Sequence, residues 1–422
     1  MSKKAVEFLA RHGIEPEKMD VKAVCEDMVG HMRAGLDGNV RSMLMIPTYL
    51  SNDGAVPKGV SAAVIDAGGT NFRSALVSFT ENGYEVSELQ KVKMPGIGKP
   101  CTWEEFISFV ADRIEPLMDR ADSIGFCFSY SADITPDMDG RVYRIDKEVV
   151  VTGSEGQLIG ASLIAELERR NIFGKRVVIL NDTVAVLLGG ASVLDKDAYS
   201  GFIGQVSGTG TNTCVSLPTR DIKKLNIDSA KGMIVNAESG LYNGLRGGDL
   251  DERLDSESNN PGSKQFEKLT AGVYLGEVCR LLLKDAAASG LVSEESAEKI
   301  MALDKIDTSF VDAWVNGERL DCVSGCEEDA DFVQTVARAV LMRSAKCMCA
   351  NLLALGKLSG AGREKPICVC AEGSLVQKCR VYREALEFFL AEYGESMDMR
   401  FELRVGEETT LPGAAAAALL NS

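Results

Sequence analysis

The sequence predicts an α/β protein built of two lobes. Its 422 residues exceed what one compact hydrophobic core usually holds. Two segments, 61–79 and 201–217, share one layout: an apolar strand, a glycine-rich turn and a second strand. This repetition indicates an internal duplication, with one such turn on each lobe. No low-complexity linker separates the halves, so we expect the lobes to be interleaved.

Composition and charge limit the classes of function. The chain is 45% hydrophobic and 26% charged, as is usual for a soluble globular enzyme. Its net charge of -16 disfavours binding to nucleic acids and to anionic membranes, because both are polyanionic. No apolar run approaches the roughly 18 residues that span a bilayer, and the charged N-terminus is unlike a signal peptide or an anchor. We therefore expect a cytoplasmic protein.

The twelve cysteines are expected to be reduced thiols. They include close pairs at Cys322/Cys326, Cys347/Cys349 and Cys368/Cys370, but no CxxC motif. Neither histidine lies near a cysteine pair in the sequence, so we do not expect a zinc site.

Hydrophobic periodicity predicts the other elements. The predicted helices cover 21–41, 160–170, 265–283 and 329–355, with one beginning near 185 and an alanine-rich helix from Pro412 to the end. The predicted strands cover 61–65, 71–79, 124–128, 176–180, 201–207, 213–217 and 367–370.

The first glycine-rich turn, at 66–71, has the composition of a phosphate site. Glycines allow backbone N–H groups to approach an anion, and an aspartate at a strand end can hold Mg²⁺ through water. A plain β-hairpin explains the turn equally well when it is taken alone. The residues predicted to serve phosphate and metal are Asp66, Gly68, Gly69, Thr70, Asn71 and Arg73.

Asp182 follows the predicted strand 176–180 and precedes the second glycine-rich turn, Gly208–Asn212. A carboxylate at a strand end can accept the proton of an attacking hydroxyl during phosphoryl transfer. The alternative is that Asp182 is the N-cap of the next helix, which the local sequence alone favours. No GxxxxGK[ST] motif occurs, so a Walker-type site is excluded.

Several segments together resemble the hexokinase family, in the family's order and over nearly the whole chain. They are VIDAGGTNFR at 64–73, GFCFSYS at 125–131, VVILNDTVAVLL at 177–188, IGQVSGTGTNTC at 203–214, MIVNAESGLY at 233–242, NNPGSKQFEKLTAGVYLGEVCR at 259–280, CAEGSL at 370–375 and PGAAAAA at 412–418.

This resemblance implies a two-lobed actin-like ATPase (ribonuclease H-like) fold, with a mixed sheet flanked by helices in each lobe and a sugar and ATP cleft between them. It implies a small lobe at 49–183, joined by the terminal helix 412–422, and a large lobe at 184–411 carrying residues 1–48. The implied activity is transfer of the ATP γ-phosphate, with Mg²⁺, to the 6-hydroxyl of a hexose, with glucose expected, in glycolysis. The expected partners are small molecules, and oligomeric state is not indicated.

The resemblance also implies a role for individual residues. Asp182 would be the catalytic base, with Lys147 near the reacting centre. The sugar hydroxyls would be held by Ser129, Asn181, Asn212, Glu238 and Glu267. The nucleotide would contact the first turn together with Gly208, Thr209, Gly373, Ser374 and Gly413.

Four departures from the family pattern bear on the sugar. The family usually has Ser-Phe-Pro where this chain has Ser-Tyr-Ser at 129–131, Thr for Asp146, Gln for Lys264 and Trp for Ser239. Either Asp146 and Lys264 are solvated or paired to each other in a glucose kinase, or they contact the substrate and change the sugar preference. A poorly active sugar sensor and a kinase of another actin-like family are further alternatives. Intact Asp182 argues against the sensor, and the segment 259–280 argues against the other kinase.

Overall fold

A computed structural model describes residues 2–145, 149–318, 321–323 and 326–421. The strands are β1 Ile46–Pro47, β2 Ser61–Ala67, β3 Asn71–Thr80, β4 Gly83–Lys93, β5 Cys101–Thr102, β6 Ser123–Phe128, β7 Ser131–Ile134, β8 Gly140–Arg144, β9 Val151–Thr152, β10 Arg176–Leu180, β11 Gly201–Ser207, β12 Thr211–Pro218, β13 Gly232–Asn236, β14 Ile367–Glu372 and β15 Phe401–Val405. The helices are α1 Lys3–Arg11, α2 Val21–Leu36, α3 Trp103–Ile114, α4 Ile159–Arg169, α5 Asp182–Ser192, α6 Asp249–Ser256, α7 Gln265–Thr270, α8 Gly272–Ala288, α9 Glu294–Met301, α10 Thr308–Val315, α11 Glu327–Ser359, α12 Ser374–Lys378, α13 Arg380–Glu395 and α14 Thr410–Leu420.

The two large sheets repeat one topology. The first sheet has the order β10-β6-β2-β3-β4, and the second has the order β15-β14-β11-β12-β13 with β1 added at its edge. In each, an antiparallel hairpin (β2–β3 or β11–β12) has two parallel strands on one side and an antiparallel strand on the other. This repetition confirms the duplication that the sequence predicted. Both sheets are mixed, as the predicted fold class requires.

Buried apolar side chains form three clusters in the described part of the chain. One fills the space between the first sheet and helices α3 and α4. Another contains α5, α14, the opposite face of that sheet and one face of the second sheet. The largest packs on the other face of the second sheet and includes residues of α1, α2, α8, α11 and α13. Each sheet is therefore covered by helices, as in a layered α/β fold. The proposed lobe boundaries at 49–183 and 184–411 stay a prediction.

Helix α11 is the central element of the largest cluster. It is long and apolar enough, by length and composition only, to cross a membrane, which corrects the expectation that no stretch comes close. However, 94% of its most apolar window is buried inside the protein. A core helix of this kind passes the same test, so the helix is weak evidence for a membrane span.

Helices α5 and α14 approach each other at very short range. A Cβ atom on Gly413 would lie 1.9 Å from the carbonyl oxygen of Ala185, and one on Gly189 would lie 2.2 Å from that of Thr409. On the sheet side, a Cβ on Gly125 would lie 2.0 Å from the carbonyl oxygen of Ala414. Glycine is therefore required where α14 contacts α5 and β6.

Two predicted helices differ from those observed. The helix predicted over 21–41 ends at Leu36 and is followed by Gly38 with a φ of 84°. The helix predicted over 265–283 is two helices, α7 and α8, because Ala271 has an extended backbone and the Gly272 amide bonds instead to the carbonyl of Gly208, at 2.8 Å. Apolar periodicity does not detect a break of one residue.

We expect Gly413→Ala to lower the free energy of unfolding by about 1–3 kcal/mol or more, because the added methyl group would overpack the contact between α14 and α5. Gly30→Ala is the matched control, since Gly30 is inside α2 and a Cβ there would meet only Arg41 Nη1, at 3.8 Å. That control should stabilise the protein by roughly 0.5–1 kcal/mol through helix propensity. Denaturant unfolding of both variants measures the difference; equal stability of the two would contradict the packing argument.

Candidate active site

Polar residues gather where three neighbouring strands of the first sheet end. In the parallel register of β2, β6 and β10, Asp66 is opposite Cys127, and Cys127 is opposite Leu180. Adjacent strands lie about 4.8 Å apart. Asp66, Ser129 and Asn181 therefore emerge at one edge of the sheet. The structure thus brings together residues that are distant in the sequence, since Asp66 and Asn181 are more than 110 positions apart.

Arg73 is bound to Asp66. Its Nε and Nη2 atoms donate to Asp66 Oδ2 at 2.9 and 2.5 Å, and Nη2 also donates to Thr410 Oγ1 at 3.0 Å. Burial alone would lower the pKa of Arg73, but Asp66 and Glu408 raise it above its usual value. Arg73 therefore fixes Asp66 and the start of α14 in place; its predicted contact with phosphate stays a prediction.

The first glycine-rich turn presents backbone amides. The amides of Gly69 and Thr70 donate no hydrogen bond to any backbone acceptor of the described residues. The carbonyl of Thr70 accepts from the Met94 amide at 3.0 Å, and the Asn71 side chain donates to Thr70 Oγ1 at 3.2 Å. An exposed turn with unpaired N–H groups can bind an anion.

Asp182 is at the start of α5, between the two sheets. The side chain of Asn181 caps this helix by accepting the Thr183 amide at 3.0 Å, so the alternative prediction that Asp182 is the N-cap is wrong. Asp182 Oδ1 accepts from the Thr183 amide at 2.6 Å and from its hydroxyl at 3.1 Å. The Thr183 carbonyl accepts from the Cys214 thiol of β12 at 3.3 Å, which ties the helix start to the second sheet.

A chain of amide and carboxylate side chains continues from β12. Asn212 Nδ2 donates to Asn236 Oδ1 at 2.8 Å, and Asn236 Nδ2 donates to Glu238 Oε1 at 2.7 Å. The Asn212 carbonyl oxygen accepts from the amides of Thr213 and Ser239 at 2.7 and 3.2 Å. Sequence reasoning missed Asn236, although it lies in the segment 233–242 that resembles the family.

Glu267 and Lys264 form an ion pair beside this chain. The Lys264 ammonium lies 3.4 Å from Glu267 Oε1, and Glu267 Oε2 accepts from the Thr211 amide at 3.4 Å. Lys264 has a φ of 54° and immediately precedes α7, whose first turn contains Glu267. Among the described residues, Lys264 therefore pairs with Glu267. The predicted pairing of Lys264 with Asp146 lies outside the described residues and stays a prediction.

Glu238 has an unfavourable environment for its charge. Burial raises the pKa of Glu238, and the negative charges of Asp182 and Glu267 raise it further. The hydrogen bond from Asn236 and the positive charge of Lys264 lower it. Three carboxylates, Asp182, Glu238 and Glu267, thus lie close enough to interact, with Lys264 as a compensating cation.

A cavity of about 640 Å³ opens beside the second glycine-rich turn. Gly208 and Ser374 meet there because β11 and β14 are parallel neighbours, and a Cβ on Gly208 would lie 3.2 Å from the Ser374 amide. Gly373, with a φ of 119°, has no space for a side chain, since a Cβ would lie 2.4 Å from the Ser207 carbonyl oxygen. The polar and glycine residues of the lining are Gly208, Thr209, Gly272, Lys305, Asp307, Thr308, Ser309, Asp312, Ser374 and Lys378.

The cavity includes some of the predicted nucleotide residues and adds others. Gly208, Thr209 and Ser374 line it, and Gly373 adjoins it. Gly413 does not line it and is buried against α5, so its predicted contact with the nucleotide stays a prediction. Sequence reasoning missed segment 305–309 of the lining. The one feature of this segment that could have been recognised in the sequence is Asp307, the N-cap of α10. Asp146 and Lys147 lie outside the described residues.

Comparison with known proteins identifies the family. Two family models described as hexokinase match residues 6–192 and 202–420. The chain belongs to the hexokinase family. Hexokinase-1 of Oryza sativa subsp. japonica is 27% identical to this chain, over 94% of this chain and 87% of its own length. Chloroplastic hexokinase-2 of Nicotiana tabacum is 33% identical, over 64% of this chain and 57% of its own length. The chain is therefore a hexose kinase, a phosphotransferase.

Solved hexokinases share the fold over the whole chain. A hexokinase crystal structure superposes with a TM-score of 0.81 and covers 100% of this chain and 99% of that one. The Schistosoma mansoni hexokinase complexed with glucose gives a TM-score of 0.76 with 99% coverage of both chains. Both are 20% identical to this chain, so they establish the fold alone.

We expect Lys264→Gln to move the acidic limb of kcat/KM for the hexose to higher pH. Lys264 lowers the pKa of Glu238, so its removal raises that pKa. The ionised Glu238, which is predicted to accept sugar hydroxyls, is then lost at a higher pH as the solution is acidified. Steady-state kinetics across pH 5–9, roughly spanning both limbs, measures the shift. Lys299→Gln, on the exposed face of α9 beside Glu295, should leave the profile unchanged; an unshifted Lys264→Gln profile would contradict the coupling.

Proposed function

We propose that this protein transfers the γ-phosphoryl group of ATP to the 6-hydroxyl of a hexose, with glucose as the first candidate, and that Asp182 is the base. The observation that carries this proposal is the position of Asp182. It begins the helix that joins the two sheets, with a cluster of hydroxyl-binding groups and a nucleotide-sized cavity nearby. The proposed biological role is hexose phosphorylation in glycolysis.

Asp182 has the surroundings that a base requires. Thr183 donates two hydrogen bonds to Oδ1, which orient the carboxylate that we propose as the proton acceptor. The N-terminus of α5 stabilises negative charge on this carboxylate. Phosphoryl transfer passes through a loose transition state, in which orientation of the hydroxyl and a nearby proton acceptor matter more than covalent help.

The polar chain from Asn212 to Glu267 is suited to a polyol. Its carboxylates accept hydrogen bonds from hydroxyls, and the amides of Asn181 and Asn212 provide donors and acceptors. Hydrogen bonds through Asn236 hold Asn212 and Glu238 in position before the substrate binds, and the Thr211 amide holds Glu267. A sugar that lacks one hydroxyl would leave a buried partner unpaired, which gives discrimination among sugars.

The cavity beside the second turn is proposed for the adenosine part of ATP. At about 640 Å³ it lies within the usual range for small-molecule sites. The two glycine-rich turns would then hold the phosphates between the cavity and Asp182. In a protein with a net charge of -16, backbone amides are the natural anion-binding groups, and Lys305 and Lys378 add local positive charge at the cavity.

The donor set fits Mg²⁺ brought by the nucleotide. In the described residues there is no group of three His, Cys, Asp or Glu side chains that could hold a metal. Asp66 offers one carboxylate, whose Oδ2 is occupied by Arg73, while its Oδ1 would lie 3.6 Å from a Cβ on Gly68. One carboxylate together with substrate phosphates is a common arrangement for this ion, which neutralises phosphate charge when bound.

A changed sugar preference is the second candidate function. The Lys264–Glu267 ion pair favours it, because one oxygen of a proposed sugar ligand is held by a cation. If Lys264 instead only orients Glu267, glucose remains the substrate. The cytoplasmic location and the restriction to small-molecule partners stay predictions.

The first experiment measures ADP release with ATP, Mg²⁺ and each of glucose, mannose, fructose and glucosamine. Robust turnover of glucose supports the main proposal. Turnover of another sugar with little glucose activity would support the second candidate. Absence of turnover with all four, combined with thermal protection by a sugar, would contradict both and support a sensor.

We expect Asp182→Asn to reduce kcat on the order of 10²–10⁴-fold, because the amide cannot take the hydroxyl proton. Asparagine can still accept the hydrogen bonds of Thr183, so the fold and the Kd for the hexose should be retained. Isothermal titration and unfolding measurements check this, with the exposed Asp119→Asn as the matched control. A kcat within a few-fold of wild type would exclude Asp182 as the base.

A further inference from the structure

Tyr130 connects the loop after β6 to the first glycine-rich turn. Its hydroxyl donates a hydrogen bond to the Gly69 carbonyl oxygen at 3.1 Å. The ring is 5% exposed and packs on Phe128 with ring centroids 5.2 Å apart. The hydroxyl is therefore presented by a side chain with little freedom to move. The hexokinase pattern has Phe at this position, so the hydroxyl is a feature of this chain.

The Gly69 peptide has few other constraints. A Cβ on Gly69 would meet no atom within 4 Å, so the turn is not packed on that side. Glycine moves easily between backbone conformations, and the peptide that joins it to Thr70 can rotate as a unit. In a planar trans peptide the C=O and N–H bonds point in opposite directions. Holding the carbonyl of Gly69 therefore fixes the direction of the Thr70 N–H.

The next peptide is held from the other side. The Thr70 carbonyl accepts from the Met94 amide, which follows β4, at 3.0 Å. The Thr70 residue is thus held on both sides, by Tyr130 through the preceding carbonyl and by Met94 through its own. Its N–H donates no hydrogen bond to any backbone acceptor of the described residues and is oriented away from Tyr130.

We infer that Tyr130 is a positioning residue for nucleotide binding, which orients the Thr70 amide toward a phosphate oxygen of ATP. This inference rests on the proposed use of the first turn for phosphate. Tyr130 follows Ser129, a proposed sugar ligand, so the same side chain also joins the sugar side of the site to the phosphate side. Tyr130 acts through the backbone of Gly69 and does not touch the reacting atoms.

The test is Tyr130→Phe, which keeps the buried ring and removes only the hydroxyl. We expect kcat/KM for ATP to fall about three- to tenfold, the range that one neutral hydrogen bond usually accounts for. The Kd for the non-hydrolysable analogue AMPPNP with Mg²⁺, measured by calorimetry, should rise by a similar factor. KM for the hexose should stay unchanged, as should the midpoint of thermal unfolding within about 2 °C.

Tyr84→Phe is the matched control, since Tyr84 is on the exposed strand β4, and it should change none of these quantities. A wild-type protein that does not bind AMPPNP would overturn the proposed function and this inference with it. A wild-type protein that binds AMPPNP, with Tyr130→Phe equal to it in Kd and kcat/KM, would overturn this inference alone. A fall in thermal stability with unchanged nucleotide parameters would show that the hydroxyl serves only the fold, and would also overturn it.

Discussion

The contact between the start of α5 and the second sheet is the constraint on which the site depends. The Thr183 carbonyl oxygen accepts a hydrogen bond from the Cys214 thiol of β12. A Cβ on Gly204 of β11 would lie 2.6 Å from the same oxygen. The helix start therefore lies directly against the hairpin that carries the second turn. Because α5 also follows β10 of the first sheet, Asp182 is held where the two duplicated halves meet. The close glycine contacts with α14 also fix the position of α5.

Negative charge is the main electrostatic problem of this site. Asp66, Asp182, Glu238 and Glu267 all lie in or beside it, and the chain already has a net charge of -16. Unpaired charges in a partly buried region are costly, and neighbouring carboxylates raise one another's pKa. The structure offsets this with Arg73 on Asp66 and Lys264 on Glu267. These cations differ in exposure, since the Lys264 side chain is 42% exposed and Arg73 is 20% exposed. Lys264 is thus the more accessible to a ligand.

Much of the site could be read from local sequence, because its parts are strand ends and glycine turns. The strands over 176–180 and 201–207 have the predicted bounds, and Asp66 and the Gly208–Asn212 turn are at the ends of strands as expected. Local sequence also suggested that Asp182 is the N-cap of α5. The N-cap is instead the neighbouring residue Asn181, whose side chain accepts a hydrogen bond from the Thr183 amide. Spacing alone did not separate two adjacent residues that are both good caps.

The sequence by itself determined the duplication, the strand–turn–strand units and the residue types of the site, because these follow from alternation of apolar residues and from glycine. Only the tertiary structure decided the partners. It placed Lys264 on Glu267, Arg73 on Asp66 and Tyr130 on Gly69, and it packed Gly413 of α14 against α5. It also brought the segment 305–309 to the cavity. These pairings depend on how distant segments cross in space, and neither periodicity nor local propensity carries that information.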